Sequence, residues 1–367
     1  MNTVINAAPM HESHARKLDH LNLCAGDAVE HGAHAGLFEE VSLVHDALPE
    51  LSTTELDLTT RFLDHTLRAP LMLTGMTGGP REAGEVNHAL ARVCAQVGVP
   101  FGLGSQRVML RDPSCADTFR VRSSAPDVLL VGNIGVMQAR DLGPERVAEL
   151  ARSVEADYLA IHLNPAMELV QPGSEADSDF TGGYDTIARV VDALGGRVLV
   201  KECGTGLSAR VAARLASLGV RGLDASGSGG TSWVKVEALR AQGRQARLGA
   251  LFSDWGIPTA AAVALCRPAA PHATLIASGG ITDGLVAAKA LALGADVAGL
   301  ARPVLQAYNA GGADGALEFL EETIAALRIA MVLVGARTPE ELRRAPRVLG
   351  PRLRAWMHPE SPAERAP

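Results

Sequence analysis

The sequence has few cysteines, few aromatic residues and no long apolar run, and these shortages exclude several classes of protein. The five cysteines among 367 residues are scattered with no C-x-x-C pair, which argues against a zinc site. Their odd number leaves one thiol unpaired in any disulfide scheme and favours reduced thiols in a cytosol. No run reaches the roughly 18 apolar residues that span a bilayer, and the N-terminus lacks a signal-peptide pattern. We therefore expect a soluble, cytoplasmic protein.

The charge pattern lacks what would attract nucleic acid or an anionic membrane. The net charge is −7, and neither sign forms a long run, so the electrostatic basis for either partner is absent. Small and aliphatic residues are abundant instead. The apolar fraction is 47% with only 4% aromatic residues, which is typical of buried parallel strands combined with Ala-rich helices.

Short apolar runs recur along the chain, and most are separated by segments with helical spacing. They cover 69–76, 100–105, 128–135, 158–164, 197–203, 222–226, 274–280 and 296–300. Alternating strands and helices indicate a parallel sheet, and eight repeats allow it to close into a (β/α)8 TIM barrel. We predict one barrel domain over 15–357, with flexible ends over 1–14 and 358–367. The segments 315–334 and 339–356 are interpreted as the eighth helix and a C-terminal cap.

Three predicted strands end in small or glycine-rich loops. Gly-Ser-Gly-Gly-Thr-Ser-Trp at 227–233 follows the sixth run, Gly279-Gly280 ends the seventh, and Ala301-Arg302 follows the eighth. Without Cβ atoms, glycine loops bring backbone N–H groups against a phosphate or an aromatic ring. Loops after the last strands of a TIM barrel commonly hold a phosphate. The sequence therefore predicts a phosphorylated ligand at this face.

Other strand ends carry polar residues that a barrel would bring to the same rim. They are Thr74 to Gly79, Gly104 to Arg107, Asn133, His162 to Asn164, and Lys201-Glu202. Each has an ordinary structural explanation when it is taken alone. Asn133 could cap a helix, His162 could be a core histidine, and Lys201 could form an ion pair at the rim. Taken together with the glycine loops, they favour a binding site.

Basic and protonatable residues exceed what one phosphate needs. They are Arg16, Lys17, His20, Arg107 and His162. Arginine offers a bidentate fork for phosphate oxygens and lysine a point charge. We therefore expect a diphosphate-bearing substrate beside a phosphorylated cofactor, although Arg16-Lys17 could also be a solvated pair.

Glu168 lies shortly after the His162 strand end. A carboxylate facing a diphosphate is repulsive unless a hard cation lies between them, and Mg²⁺ commonly binds through one or two carboxylates and substrate phosphate oxygens. Glu168 is therefore the candidate metal ligand. The alternative is an ordinary surface acid.

These motifs resemble type 2 isopentenyl diphosphate isomerase, a family of FMN-dependent enzymes. The resemblance extends from Arg16 to the last helix, with the order and spacing of the motifs kept. It rests on Arg16-Lys17-x-x-His20, Thr74-Gly-Met-Thr-Gly-Gly79, Gly104-Ser-Gln-Arg107, His162-Leu-Asn-Pro165, Lys201-Glu-x-Gly204, Ser226-Gly-x-Gly-Gly-Thr231 with Trp233, Asp254-Trp-Gly256 and Ser278-Gly-Gly-Ile281.

The resemblance implies three sets of site residues. FMN contacts are implied at Thr74, Gly75, Met76, Ser105, Asn133, Lys201, Ser226, Thr231, Gly280, Thr282, Ala301 and Arg302. The substrate diphosphate would meet Arg16, Lys17, His20, Ser105, Arg107, His162 and Asn164. Glu168 matches the family's Mg²⁺ ligand, and catalysis would involve Lys201, His162 and position 167.

The resemblance also implies a reaction. Isopentenyl diphosphate would be converted to dimethylallyl diphosphate by a 1,3-proton shift, with reduced FMN as acid and base and no net redox change. Lys201 would act on the flavin pyrimidine edge, and NAD(P)H would reduce the flavin beforehand. A homo-tetramer or homo-octamer is implied as well.

The chain departs from the family pattern at three positions. Met167 replaces the Gln that usually precedes the metal-binding Glu. A thioether cannot relay a proton but packs well on an apolar prenyl chain; a neutral replacement is the alternative. Thr282 stands where the family has Arg, and Arg302 where an apolar residue is common. We interpret these two as a compensating pair in which Arg302 restores charge near the flavin phosphate.

Two other functions stay open. A divergent paralogue would isomerise or cyclise another prenyl diphosphate with the help of the flavin, which Met167 and the three acids of the insertion 173–179 favour. An FMN-dependent oxidoreductase of the hydroxy acid oxidase type would share the barrel. That class needs a His-Gly-x-Arg constellation, which is not seen near the seventh or eighth predicted strand.

Overall fold

The computed structural model describes residues 10–32, 35–172 and 178–358. Its strands in chain order are β1 (Val41–Leu43), β2 (Thr60–Phe62), β3 (His65–Leu67), β4 (Leu71–Leu73), β5 (Phe101–Gly102), β6 (Leu130–Gly135), β7 (Tyr158–Leu163), β8 (Val198–Glu202), β9 (Gly222–Asp224), β10 (Thr274–Ser278), β11 (Val297–Leu300) and β12 (Arg347–Leu349). Strands β4 to β11 are parallel and close into a barrel in chain order, with β11 beside β4. Strands β1 and β12, and β2 and β3, form antiparallel pairs outside it.

The helices surround this barrel. They are α1 (Met10–Ala25), α2 (Arg81–Val97), α3 (Val136–Leu142), α4 (Pro144–Ser153), α5 (Pro165–Val170), α6 (Gly183–Ala193), α7 (Ala209–Ser217), α8 (Trp233–Arg240), α9 (Gly243–Leu251), α10 (Thr259–Ala269), α11 (Gly284–Ala292), α12 (Arg302–Leu333), α13 (Pro339–Arg344) and α14 (Pro351–Met357). No described helix combines the length and the apolarity that crossing a membrane would need.

Each of the eight predicted runs contains one barrel strand, which confirms the (β/α)8 fold. The pairing register also aligns the carboxyl ends of four neighbouring strands. Gly135 pairs with His162, His162 with Lys201, and Lys201 with Asp224. Four consecutive strands therefore present these residues side by side at their carboxyl ends.

The main core lies between the barrel and its helices. Helix α2 is typical: Val86, Leu90 and Val93 recur at helical spacing, are all buried, and pack toward the strands. The helix ends at Gly98, where φ is 81° and the N–H donates to the carbonyl of Cys94. Glycine permits this left-handed cap without strain.

A smaller core lies at the amino end of the barrel strands, and the sequence did not predict the hairpin that closes it. Phe62 and Leu63, from the β2–β3 hairpin, pack with strand residues such as Tyr158 and Leu199. The Leu63 N–H donates to the hydroxyl of Thr274, the first residue of β10. The hairpin therefore seals the end opposite the carboxyl ends of the strands.

The N-terminus differs from the sequence prediction. Helix α1 begins at Met10, inside the segment 1–14 that was expected to be flexible. Residues 1–9 and 359–367, which make up most of the two predicted flexible ends, lie outside the described residues, as do 173–177 of the predicted insertion.

The C-terminal segments also differ from their prediction. Helix α12 begins at Arg302 rather than at 315, and Gly311 and Gly312 interrupt its helical geometry. The predicted cap over 339–356 is divided by β12, which pairs with β1. Pro346 explains the division, because the residue before a proline is driven out of the helical region and α13 ends at Arg344.

Candidate active site

The carboxyl ends of the barrel strands open into two adjoining cavities. The larger has a volume of about 300 Å³ and the smaller about 100 Å³. Their common wall consists of Lys17, His20, Gly75, Met76, Lys201, Cys203 and Trp233. Two molecules bound in the two cavities would therefore meet along this wall.

The residues assigned from the sequence divide between these cavities. The larger is lined by Thr74, Gly75, Met76, Lys201, Ser226, Thr231, Gly280, Thr282, Ala301 and Arg302. The smaller is lined by Lys17, His20, Ser105, Arg107, Asn133, His162, Asn164, Met167 and Glu168. Ser105, assigned to both ligands, and Asn133, assigned only to the cofactor, line the smaller cavity and not the larger. The side chain of Arg16 lies outside the described residues.

Two glycine loops form one end of the larger cavity. Their backbones contact each other directly. Gly229 has a φ of 145° and Gly280 a φ of 79°, a region that favours glycine. A Cβ on Gly280 would lie 2.6 Å from the carbonyl oxygen of Gly229, and one on Gly230 would lie 2.7 Å from the Gly280 nitrogen. The loops therefore present backbone to the cavity. Helix α12 begins beside them at Arg302, and the N-terminus of a long helix favours a phosphate.

Among the residues that the structure describes, two buried polar atoms on this cavity's lining residues lack a hydrogen-bond partner: the Thr77 hydroxyl and Nδ1 of His31. His31 donates through Nε2 to the Gly204 carbonyl at 3.0 Å. Burial lowers the pKa of His31, and its Nδ1 lies 3.9 Å from a carboxylate oxygen of Asp254, beyond hydrogen-bond distance. Because unpaired buried polar atoms are rare, they indicate a polar ligand. With the glycine loops and the Lys201 ammonium, this cavity fits FMN.

Lys201 lies on the common wall at the end of β8. Its Nζ donates to the Glu202 carbonyl at 2.7 Å and lies 3.6 Å from Sγ of Cys203. Burial alone lowers the pKa of Lys201, but Cys203, Asp224 and Glu202 act in the opposite direction, and the net pKa lies above its ordinary value. Lys201 is therefore positively charged at neutral pH. It can stabilise negative charge on a ligand in either cavity.

Glu168 lines the smaller cavity from α5. It is 4% exposed and accepts a hydrogen bond from Nδ2 of Asn164 at 2.9 Å. The same amide nitrogen lies 3.6 Å from Sδ of Met167. Within the described ranges, no group of three or more His, Cys, Asp or Glu side chains could hold a metal ion. A single carboxylate still suits Mg²⁺, provided that substrate phosphate oxygens complete the coordination.

Helix α1 covers both cavities and is held by a buried ionic network. Nε2 of His20 lies 2.7 Å from Oε1 of Glu237, a fully buried residue of α8. Oε2 of Glu237 accepts from Arg240 at 2.6 Å, and Arg240 also reaches Asp19 at 3.3 Å. The His20 ring packs edge-on against Trp233, with 5.1 Å between the ring centroids. This network fixes His20 on the common wall.

Arg302 is already engaged by the N-terminal segment. Its guanidinium donates to the Gly26 carbonyl and to Asp27, each at 3.1 Å, and also pairs with Glu30. The Thr282 hydroxyl lies 2.9 Å from the carboxylate of Asp283. These contacts do not support the interpretation that Arg302 compensates for Thr282 at a phosphate. Arg302 instead links the start of α12 to the segment that follows α1.

Sequence reasoning missed several residues of the site, among them His31 of the larger cavity and the three that follow. Gln138, on α3, lines the smaller cavity, Cys203 lies on the common wall, and Glu237 holds His20. Cys203 was detectable because it lies inside the Lys-Glu-x-Gly motif. Gln138 and Glu237 lie within short helices, where a single amide or acid has no distinguishing pattern.

Fold and site together define a flavin-binding barrel protein. A family model described as FMN-dependent dehydrogenase matches residues 146–348. Proteins named isopentenyl-diphosphate delta-isomerase are similar over most of the chain. Those of Metallosphaera sedula and Pyrococcus furiosus are each 41% identical over 93% of this chain, covering 94% and 88% of their own lengths. That of Nostoc is 42% identical over 86% of this chain and 89% of its own.

The chain belongs to the isopentenyl-diphosphate delta-isomerase family, and it is an isomerase. The FMN-dependent family match supports FMN as its cofactor.

Solved structures of mandelate oxidase are similar in fold. One variant with a monooxide FMN adduct has a TM-score of 0.64 and 18% identity over 92% of this chain and 99% of its own. At that identity the likeness shows the barrel fold alone.

Proposed function

We propose that the protein isomerises isopentenyl diphosphate to dimethylallyl diphosphate, with FMN in the larger cavity and the substrate in the smaller. The observation that carries this proposal is the common wall of the two cavities. It contains Lys201, Met76 and His20, so the reacting end of a substrate would lie against the flavin. The isomerase relatives support the same substrate.

The smaller cavity supplies the groups that a diphosphate needs. Lys17, His20, Arg107 and His162 line it and offer positive or protonatable donors. Glu168 has the opposite charge and lies in the same wall. A Mg²⁺ ion held by Glu168 and by substrate oxygens would remove the repulsion between the two.

Reduced FMN, when bound, supplies an acid and a base for a 1,3-proton shift that has no net redox change. Lys201 would stabilise negative charge on the flavin at the common wall, since its ammonium group is protonated at neutral pH. Trp233 and Met76 would exclude water from the reacting carbons. We also propose NAD(P)H as the reductant, and a cytoplasmic homo-tetramer or homo-octamer, as the family resemblance implies.

Met167 favours a second candidate, the isomerisation or cyclisation of another prenyl diphosphate. Its thioether lies in the wall of the smaller cavity next to Asn164 and Glu168. A flexible apolar side chain there suits a longer hydrocarbon chain and cannot relay a proton. Hydroxy acid oxidation is a weaker candidate, because the likeness to mandelate oxidase is confined to the fold.

The deciding experiment is anaerobic turnover of the reduced, FMN-loaded chain in deuterated water with Mg²⁺. Isopentenyl diphosphate should acquire deuterium and yield dimethylallyl diphosphate, without consuming reductant in proportion to product. Absence of label in both compounds would remove the isomerase proposal. Faster labelling of a longer prenyl diphosphate would favour the second candidate, and stoichiometric oxidation of a hydroxy acid would favour the third.

Met167→Gln tests the departure from the family pattern directly. If proton transfer limits turnover, a glutamine at this wall should raise the rate by about tenfold or more. Leu169→Gln is the matched control, because it adds the same amide on the same helix at an exposed position. Equal rates for the wild type and Met167→Gln would mean that no side chain at 167 handles the proton.

A further inference from the structure

The amide of Asn133 is oriented by partners on two sides. Its Nδ2 donates to the main-chain carbonyl of Leu103 at 3.0 Å, and a carbonyl can only accept. Its own main-chain N–H donates to Oε1 of Gln106 at 2.9 Å, and Gln106 is fully buried. The first bond orients the side-chain amide and the second holds the main chain, and the side-chain oxygen faces His162 on the neighbouring strand.

That oxygen determines the tautomer of His162. Nδ1 of His162 lies 2.9 Å from Oδ1 of Asn133. An amide oxygen carries no hydrogen, so Nδ1 of His162 must carry the proton of this hydrogen bond. In the neutral ring, Nε2 is then left with a lone pair.

Nε2 of His162 lies near the wall of the smaller cavity, above Gly135. A Cβ on Gly135 would lie 2.9 Å from Nε2 of His162 and 2.0 Å from Oε1 of Gln138. Both side chains line that cavity. The absence of a side chain at Gly135 therefore leaves room for the two polar atoms beside the proposed diphosphate.

We infer that Asn133 is a positioning residue that holds His162 in the Nδ1–H tautomer and directs Nε2 to the substrate. The role of His162 toward a diphosphate rests on the proposed function, whereas the tautomer does not. A phosphate oxygen without hydrogen can only accept, so Nε2 of a neutral His162 ring must gain a proton before it can donate to the diphosphate. Diphosphate binding to the neutral ring is therefore coupled to uptake of one proton by His162.

Other charged groups share this cavity and contribute to its field. They are Lys17 and His20 from α1, Arg107 after β5, Glu168 from α5, and Lys201 with Cys203 at the end of β8. Three of them, Lys17, Arg107 and Lys201, are cationic and oppose a further positive charge on His162, whereas a bound diphosphate would favour it. We therefore expect His162 to take up its proton when the diphosphate binds.

Nitrogen-15 NMR of the FMN-loaded full chain tests the tautomer, with the His162 signals assigned by their loss in His162→Gln. In the neutral wild-type ring, the proton should reside on Nδ1. Asn133→Leu removes the acceptor and should move the proton wholly or partly to Nε2, whereas Asn133→Asp keeps an acceptor and should retain Nδ1–H. Asn87→Leu is the matched control, because Asn87 is also buried but donates to the main-chain carbonyls of Thr77 and Thr118.

A neutral wild-type ring with its proton on Nε2 would overturn the inference. So would an unchanged tautomer in Asn133→Leu with the same loss of stability as Asn87→Leu, which would indicate a purely structural role. Proton uptake is measured by titrating inorganic diphosphate with Mg²⁺ calorimetrically in buffers of different ionisation enthalpy. About one proton should be taken up per site, and fewer in Asn133→Leu. No binding at all would count against the proposed function while leaving the tautomer result intact.

Discussion

Replacing Glu237 by leucine tests how strongly the network under α1 stabilises the fold. The carboxylate is fully buried and reaches His20 at 2.7 Å and Arg240 at 2.6 Å. Breaking a buried ion pair from one side costs roughly 3–5 kcal/mol, because the other charge is left without compensation. Arg240 keeps Asp19 as a partner, so we expect the lower limit of about 3 kcal/mol for Glu237→Leu. Urea unfolding followed by circular dichroism measures this loss.

A double-mutant cycle separates the ionic contribution from packing. If the His20–Glu237 pair accounts for the lost stability, Glu237→Leu combined with His20→Leu should cost at least about 1 kcal/mol less than the sum of the single changes. Glu149→Leu, at an exposed position of α4, is the control and should stay within about 0.5 kcal/mol of the wild type. A loss below about 1 kcal/mol for Glu237→Leu, or strict additivity, would refute the reasoning.

The same network gives a pH dependence with a definite sign. Burial raises the pKa of Glu237, but His20 and Arg240 outweigh it, and the net pKa lies below its ordinary value of 4.5. A depressed folded pKa stabilises the protein above the ordinary value, and this stabilisation is lost as the pH falls through the folded pKa. The stability difference between the wild type and Glu237→Gln should therefore be constant near neutral pH. It should shrink below pH 4.5.

Two further changes test the larger cavity. Gly280→Ala places a methyl group 2.6 Å from the backbone oxygen of Gly229 at a φ of 79°, so FMN affinity, measured by quenching of flavin fluorescence, should fall by about tenfold or more. Full retention of FMN would mean that the loops do not hold it. Arg302→Leu releases Asp27 and Glu30, so limited proteolysis near residue 27 should accelerate while FMN affinity changes by less than about threefold. A large loss of FMN affinity would instead support a contact between Arg302 and the phosphate.

The barrel was predictable because its buried strands are continuous apolar runs that end in polar or glycine residues. β7 shows this: it is buried almost throughout and ends at His162 and Leu163, directly before Asn164. The hairpin that closes the opposite end was not predictable. Strands β2 and β3 have three residues each, too few to show a period of two, and the burial of Phe62 depends on strands far along the chain.

The same distinction applies to the site. Residues such as Lys201 and Asn133 lie in the carboxyl-terminal halves of barrel strands, so the topology alone brings them toward the rim. Glu237 and Gln138 lie within helices, and only the tertiary packing turns one toward His20 and the other toward the smaller cavity. The engagement of Arg302 by Asp27 and Glu30 was equally hidden, since it joins residues about 275 positions apart.

The departures from the family pattern have unequal consequences, because some sites bind through the backbone and others through a side chain. Glycine loops offer a phosphate backbone N–H groups, and these do not change when a neighbouring side chain does. Thr282 in place of Arg therefore leaves the donors of Gly280 intact, and Arg302 is free to hold the N-terminal segment. At position 167 the family pattern depends on the side chain itself, and the sulfur of Met167 lies 3.6 Å from Nδ2 of Asn164. The chemistry of this chain should thus differ from that of its relatives at Met167 and not at the flavin phosphate.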